Sequence, residues 1–199
     1  MQYIFYFDQT RCSECGTCVV SCKDWNSVKP GKVKWRKIYD YDTKETGTYP
    51  NITFRPLVFS CGHCDNPACV AACPSKAITK REEDGIVVVD RNKCTGDQSC
   101  ISACPYGAVQ IADDIQETVN PAWNTTHPAQ KCTFCLDRIL DNNKPSCVMS
   151  CPQRALDAGP KEYILQRYPD AVPALEVEGF PDDIFNGGHT LPNFYIKRK

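Results

Sequence analysis

Fifteen cysteines gather into four tight groups, and their spacing constrains this chain more than any other feature. The groups are Cys12, Cys15, Cys18 and Cys22; Cys61, Cys64, Cys69 and Cys73; Cys94, Asp97, Cys100 and Cys104; and Cys132, Cys135, Cys147 and Cys151. The first and third share the spacing C-x2-[C/D]-x2-C-x3-C, with Asp97 where the first has Cys15. Three ligands within seven residues require one loop folded around a metal corner, with a fourth ligand from elsewhere. This is the spacing of bacterial ferredoxins, in which the fourth cysteine serves the other cluster of a pair. Four groups therefore predict four iron–sulfur clusters, and Asp97 in a cysteine position accounts for the odd cysteine count.

The exchange of fourth ligands predicts who pairs with whom. Groups two and three are joined by a hairpin signal at 81–90, as in a two-cluster ferredoxin. Cys61, Cys64, Cys69 and Cys104 then form one site, and Cys94, Asp97, Cys100 and Cys73 its neighbour. Groups one and four pair across the chain. Cys12, Cys15, Cys18 and Cys151 form one site; Cys132, Cys135, Cys147 and Cys22 form the other. The expected fold is α+β: two interleaved ferredoxin-like units of small hairpins and short helices in one 199-residue domain. Residues 1–25 with 125–160 make the outer unit and 57–124 the inner unit. Residues 26–56 are a long insertion, and 161–199 an extended arm suited to wrapping a partner.

An internal repeat marks the fourth cysteines. Cys73-Pro74-Ser75-Lys76-Ala77-Ile78, Cys104-Pro105-Tyr106-Gly107-Ala108-Val109 and Cys151-Pro152-Gln153-Arg154-Ala155-Leu156 share C-P-x-x-A-apolar. Proline ends the preceding helical turn, and the apolar residue opens a strand. Strands are predicted near 2–8, 54–59, 77–80, 86–89 and 107–111. Helical turns are expected after each third cysteine, with a short helix over 163–168.

Composition agrees with a metal-braced fold. Without cysteine the apolar share is roughly a third, a thin core that buried clusters can supplement. Mean hydropathy is −0.42, and no stretch approaches a membrane span. Formal net charge is −1. With fifteen thiolates and four 2+ cores it becomes about −8, which argues against nucleic acid as a partner. Met1 to Phe7 is too short and lacks the basic flank of a signal peptide. Disulfides are not expected from an odd count crowded within single loops. Zinc is the competing reading of the C-x2-C pairs, and three C-P-x-x-A repeats argue against it.

The whole chain resembles the iron–sulfur subunits of the dimethyl sulfoxide reductase family of molybdenum enzymes, of the four-cluster type. The likeness rests on Cys12 to Cys22 with Lys23-Asp24, on Trp35-Arg36-Lys37-Ile38-Tyr39, and on Cys61-Gly62-His63-Cys64-Asp65-Asn66-Pro67-Ala68-Cys69-Val70. It extends through Ala103-Cys104-Pro105-Tyr106-Gly107, Cys132-Thr133-Phe134-Cys135 and the run Cys151 to Pro160. The resemblance implies an electron-transfer subunit without a substrate site. Its partners would be a large molybdopterin-guanine-dinucleotide catalytic subunit and a quinol-linked membrane anchor. If the complex is periplasmic, the chain would be exported folded with a twin-arginine-bearing partner; otherwise it is cytoplasmic. The alternatives are a stand-alone polyferredoxin, a hydrogenase-like wiring subunit, or the small subunit of a molybdenum transhydroxylase.

Asp97 departs from the family pattern. Four-cluster relatives have cysteine there, and nitrate-reductase-like relatives have tryptophan and a 3Fe–4S cluster. The resemblance thus implies three 4Fe–4S clusters plus one at Asp97, either a 4Fe–4S cluster with a labile iron or a 3Fe–4S cluster. A carboxylate is a harder ligand than a thiolate and holds the corner iron less firmly. The other polar candidates read as scaffold: His63, His127 and His189 as loop histidines, Trp25, Trp35 and Trp123 as packing, Glu82-Glu83 and Lys197-Arg198-Lys199 as solvated charge.

Overall fold

The structure, a computed structural model, describes residues 1–39, 50, 56–177 and 190–199. In chain order its elements are β1 (Tyr3–Asp8), α1 (Thr17–Trp25), β2 (Arg36–Tyr39), β3 (Leu57–Ser60), α2 (Ala68–Ala71), β4 (Ile78–Lys80) and β5 (Val87–Val89). There follow α3 (Ser99–Ala103), α4 (Leu136–Leu140), α5 (Ser146–Met149), β6 (Leu156–Pro160), α6 (Lys161–Arg167), β7 (Val172–Pro173) and β8 (Phe194–Lys197).

Strand β1 explains its own sequence. Successive side chains of a strand face opposite ways, and here both faces are covered, so the segment reads as a continuous apolar run. Phe5 and Phe7 enter the core that holds Cys18, Cys61, Cys132 and Cys151. Ile4 and Tyr6 meet Ile164 of α6 on the other side. Tyr6 stacks on Tyr168 with ring centroids 3.8 Å apart. β1 runs antiparallel to β6 and parallel to β8, which pairs with β7, giving the order β6-β1-β8-β7.

Two antiparallel pairs complete the sheets: β2–β3, with Arg36 opposite Ser60, and β4–β5, with Ile78 opposite Val89. The β4–β5 turn needs its glycine twice over. Gly85 has φ +70°, and a Cβ there would lie 2.0 Å from Gln2 Oε1. Helix α1 packs against α5, and α2 against α3. The helix of each third cysteine therefore meets the helix of the group with which that cysteine's loop was predicted to pair.

Several expectations change. Each such helix begins one residue before the third cysteine, as at Thr17, Ala68, Ser99 and Ser146. Residues 107–111 form no strand; only the isolated bridge Gln110–Gln130 occurs there, because the chain turns at Gly107 with φ +55°. β2 was not foreseen, and the first two residues of the predicted strand 54–59 lie outside the described residues, as do His189 and residues 40–49 and 51–55 of the insertion.

The described tail is part of this chain's own fold rather than an arm leaving it. Phe194 and Ile196 are fully buried beside β1. Before them, Asn193 donates to the Gly62 carbonyl at 2.7 Å and through its side chain to the His63 carbonyl at 3.0 Å. The Asp65 and Asn66 amides donate back to the carbonyls of Leu191 and Thr190. An apolar Phe-Tyr-Ile run gains more beside a buried strand than in water. Lys197, read as solvated, sits on β8 and pairs with Asp170 at 2.7 Å.

Candidate iron–sulfur sites

All four cysteine loops bend in the same way. The residue two places after the first cysteine lies in the left-handed region: Glu14 at φ 53°, His63 at 43°, Gly96 at 77° and Phe134 at 62°. For residues other than glycine this costs about 1–3 kcal/mol each, a strain that gathers at functional loops. The bend carries an amide to the preceding sulfur. Glu14 N–H donates to Cys12 Sγ at 3.5 Å and Phe134 N–H to Cys132 Sγ at 3.4 Å. Such donors favour the charged thiolate that a metal needs. The C-P-x-x-A repeat has its own bend at Lys76, Gly107 and Arg154, with φ of 51°, 55° and 53°. Their amides close onto the carbonyls of Cys73, Cys104 and Cys151, each at 3.2 Å.

These bends gather the thiols into four neighbourhoods, and all fifteen cysteines are free. Burial raises Cys64 to about 12, and the charges of Cys61, Cys104 and Cys69 add to it. Burial raises Cys100 to about 11, with Cys94 and Cys73 adding. Cys22 is pushed up by burial and then by Cys132, Cys147 and Cys135. Cys12 is raised by burial, and among thiols by Cys151 and Cys15. Cys12, Cys15, Cys18 and Cys151 also line one small cavity with Phe7, Val58 and Leu156. Each set includes a cysteine of another group: Cys104 with Cys64, Cys73 with Cys100, Cys22 with Cys132 and Cys151 with Cys12. The described residues contain no group of three or more His, Cys, Asp or Glu at the spacing of a single ion. A multinuclear cluster holds its ligands farther apart than one tetrahedral zinc does.

Asp97 occupies the place of Cys15. Residue 16 has φ 77° and ψ −8°, and residue 98 has φ 68° and ψ −1°. Cys15 Sγ lies 3.3 Å from Thr17 Oγ1. Asp97 Oδ1 accepts from the Ser99 amide at 3.2 Å and from the Ser99 hydroxyl. Both side chains are exposed, and each is followed by the helix carrying the third cysteine.

Sequence reasoning missed the polar residues inside the sites. Arg36 is buried, its guanidinium 4.6 Å above the Phe5 ring, and its Nη1 and Nη2 have no hydrogen-bond partner. Burial opposes its charge, and the thiolates of Cys147, Cys18, Cys132 and Cys22 outweigh that opposition. Ser60 Oγ and His63 Nε2 are likewise buried without partners, although His63 Nδ1 accepts the Val87 amide at 3.0 Å. Burial and the nearby cations Lys131 and Arg36 hold His63 well below the usual histidine range, so it is neutral. Lys131, also buried, donates to the carbonyls of Val87 and Cys132 and lowers Cys69 against its burial. Buried polar groups without partners are uncommon, and inorganic sulfide is the acceptor that would satisfy Arg36 here. The signal was present: Arg36 shares the inward face of β2 with Ile38. The donor set, the amide-to-sulfur bonds and these orphan donors fit iron–sulfur clusters.

Trp35 donates to Gln130 at 3.0 Å, Trp25 to Asp137 at 2.7 Å, and Trp123 lies under Arg91. His127 is 2.9 Å from Asp114, and Glu82 and Glu83 are exposed.

Comparison with known proteins agrees with this geometry. Two models described as 4Fe-4S dicluster domain match residues 52–161 and 11–78. The chain is similar to a component of the anaerobic dimethyl sulfoxide reductase of Escherichia coli K12, 42% identical over 98% of this chain and 88% of that one. It is 38% identical to a component of the sulfite dehydrogenase of Allochromatium vinosum, over 77% of this chain and 67% of that protein. It is also 41% identical to the beta subunit of the selenate reductase of Thauera selenatis, over 65% of this chain and 36% of that one. Paired dicluster loops, thiols sorted into four neighbourhoods and end-to-end similarity to a dimethyl sulfoxide reductase component lead to one assignment: this protein belongs to the iron–sulfur, electron-transferring subunits of the dimethyl sulfoxide reductase family of molybdenum oxidoreductases.

Proposed function

We propose that the chain is a four-station electron relay serving a large molybdopterin-guanine-dinucleotide catalytic subunit, with a quinol-linked anchor as the second partner. Cys12, Cys15, Cys18 and Cys151 hold the first station, and Cys132, Cys135, Cys147 and Cys22 the second. Cys61, Cys64, Cys69 and Cys104 hold the third, and Cys94, Cys100 and Cys73 the fourth, with Asp97 at its weak corner. When bound, the clusters supply one-electron transfer; the polypeptide holds, orients and insulates them.

The order of the stations rests on which thiols feel one another across sites. Cys147 acts on Cys18, Cys61 on Cys132, and Cys100 on Cys69, which supports a linear order of the four sites. Of the deep-site cysteines one, Cys104, is half-buried, whereas the end sites have exposed Cys15 and half-buried Cys12 and Cys73. A relay needs this: ends that reach a surface, and a middle shielded from water. The packing of α1 on α5 and of α2 on α3 supports an inner unit inserted within an outer one. No helix among the described residues is long and apolar enough to cross a membrane.

The single observation that carries the reading is the gathering of every fourth cysteine into the partner group's neighbourhood. The test is anaerobic purification. About fifteen to sixteen irons per chain are expected, from four clusters of which one is able to lose its corner, together with a co-purifying molybdenum-bearing chain. About eight irons, or zinc in their place, would overturn the four-station reading.

A further inference from the structure

Arg36 is the one buried cation of the described residues whose terminal nitrogens both lack a partner. No carboxylate pairs with it among the described residues. Phe5 closes one face of the guanidinium. The groups that feel its charge come from two sites: Cys18 from one, and Cys147, Cys132 and Cys22 from the other. Removing one partner of a buried charge is strongly destabilising, so a fold that keeps such a group has something for it to hold. Arginine suits the place better than lysine, since its planar fork can serve two neighbours at once and is always charged.

We propose that Arg36 is a positioning residue shared by two stations, its fork donating to cluster sulfur on both sides and raising the reduction potentials of these two clusters most. The inference rests on reading the thiol groups as cluster sites. Reduction adds one negative charge to a station. A fixed cation beside it stabilises the reduced form more than the oxidised one, and low dielectric strengthens the effect. Arg36 also acts on His63 in the Cys61 loop, so its effect on the first two stations is the larger one rather than the exclusive one.

The test is potentiometric titration of the full chain, loaded anaerobically and followed by electron paramagnetic resonance. In Arg36→Gln, two of the four couples should fall by about tenfold or more in the reduction equilibrium, about 59 mV for a one-electron couple. The other two should move less. Arg36→Lys keeps the charge and should shift the same two couples less. A second measurement avoids substitution: wild-type protein labelled with 15N-arginine should show nitrogen hyperfine coupling to a reduced cluster, and Arg36→Lys should lose it. Four unchanged couples, an equal shift in all four, or no nitrogen coupling in the labelled wild type would each overturn the proposal. An iron count short of four clusters in the wild type would sink the reading of the sites, a failure distinct from unmoved potentials.

Discussion

The outer and inner halves of this molecule repeat one cysteine loop yet are backed differently. The outer loops at Cys12 and Cys132 lie against the four-stranded sheet β6-β1-β8-β7 and the aromatic side chains of β1. Of the inner loops, Cys61 and Cys64 join that larger core, whereas Cys69, Cys94 and Cys100 have the two-stranded β4–β5 hairpin and a smaller apolar cluster built on Ile78, Val87 and Val109. Arg36, the buried cation beside the outer thiols, comes from the insertion, and the one ligand exchanged for a carboxylate, Asp97, belongs to the inner half. The comparison teaches that the ligand spacing fixes the loop, whereas the scaffold behind it sets how firmly each site is held. The tail joins the halves, since residues 190–193 clasp the Cys61 loop and β8 enters the outer sheet.

Deleting residues 190–199 is the strongest way to break this contrast. It removes two fully buried side chains, Phe194 and Ile196, worth about 3–6 kcal/mol together, and the Asn193 bonds besides. Iron per chain and the urea midpoint should both fall. If both halves lose iron, the tail is a common strap. If the inner half keeps its full share, the clasp at Cys61 has no weight and β8 serves the outer half alone.

A reciprocal exchange at the two superposable loops sharpens it. Asp97→Cys should replace a hard ligand by a soft one and suppress the 3Fe–4S signal, about g = 2, that mild oxidation should raise in the wild type. Cys15→Asp should create a second such signal in the outer half. An unchanged spectrum in both variants would mean that Asp97 does not stand at a cluster corner.

The smallest effect concerns the hydroxyls beside these ligands. Ser99→Ala removes a hydrogen bond that orients the Asp97 carboxylate, a loss of about 1 kcal/mol. The corner iron should leave several-fold faster on oxidation, read as the rate at which the 3Fe–4S signal grows. Thr17→Val beside Cys15 should change little, because a thiolate holds iron without help. Equal effects at the two loops would remove the distinction between them.

Much of the site was legible because ligand spacing is local. Cys12 to Cys18 sit on one loop, so the sequence order of cysteines already contains the loop geometry, and the shared C-P-x-x-A repeat marks the fourth ligands. Asp97 was legible for the same reason: it falls in register with Cys15. Strands β1, β4 and β5 were visible as short apolar or β-branched runs beside turn residues. The 107–111 segment was misread because its apolar pattern has no partner strand; the bend at Gly107 turns it towards Gln130 instead.

What the sequence alone determined is thus the chemistry: four cysteine groups, their exchange partners and one carboxylate among them. Tertiary structure decided the rest. That Phe194-Tyr195-Ile196 completes a sheet with a strand nearly two hundred residues earlier depends on long-range pairing, which no local pattern encodes. That Arg36 lies among the thiols of two sites depends on the β2–β3 register, since a one-residue slip would turn it to the opposite face. Ligand spacing is written in neighbouring residues; the environment that tunes a ligand is assembled from distant ones.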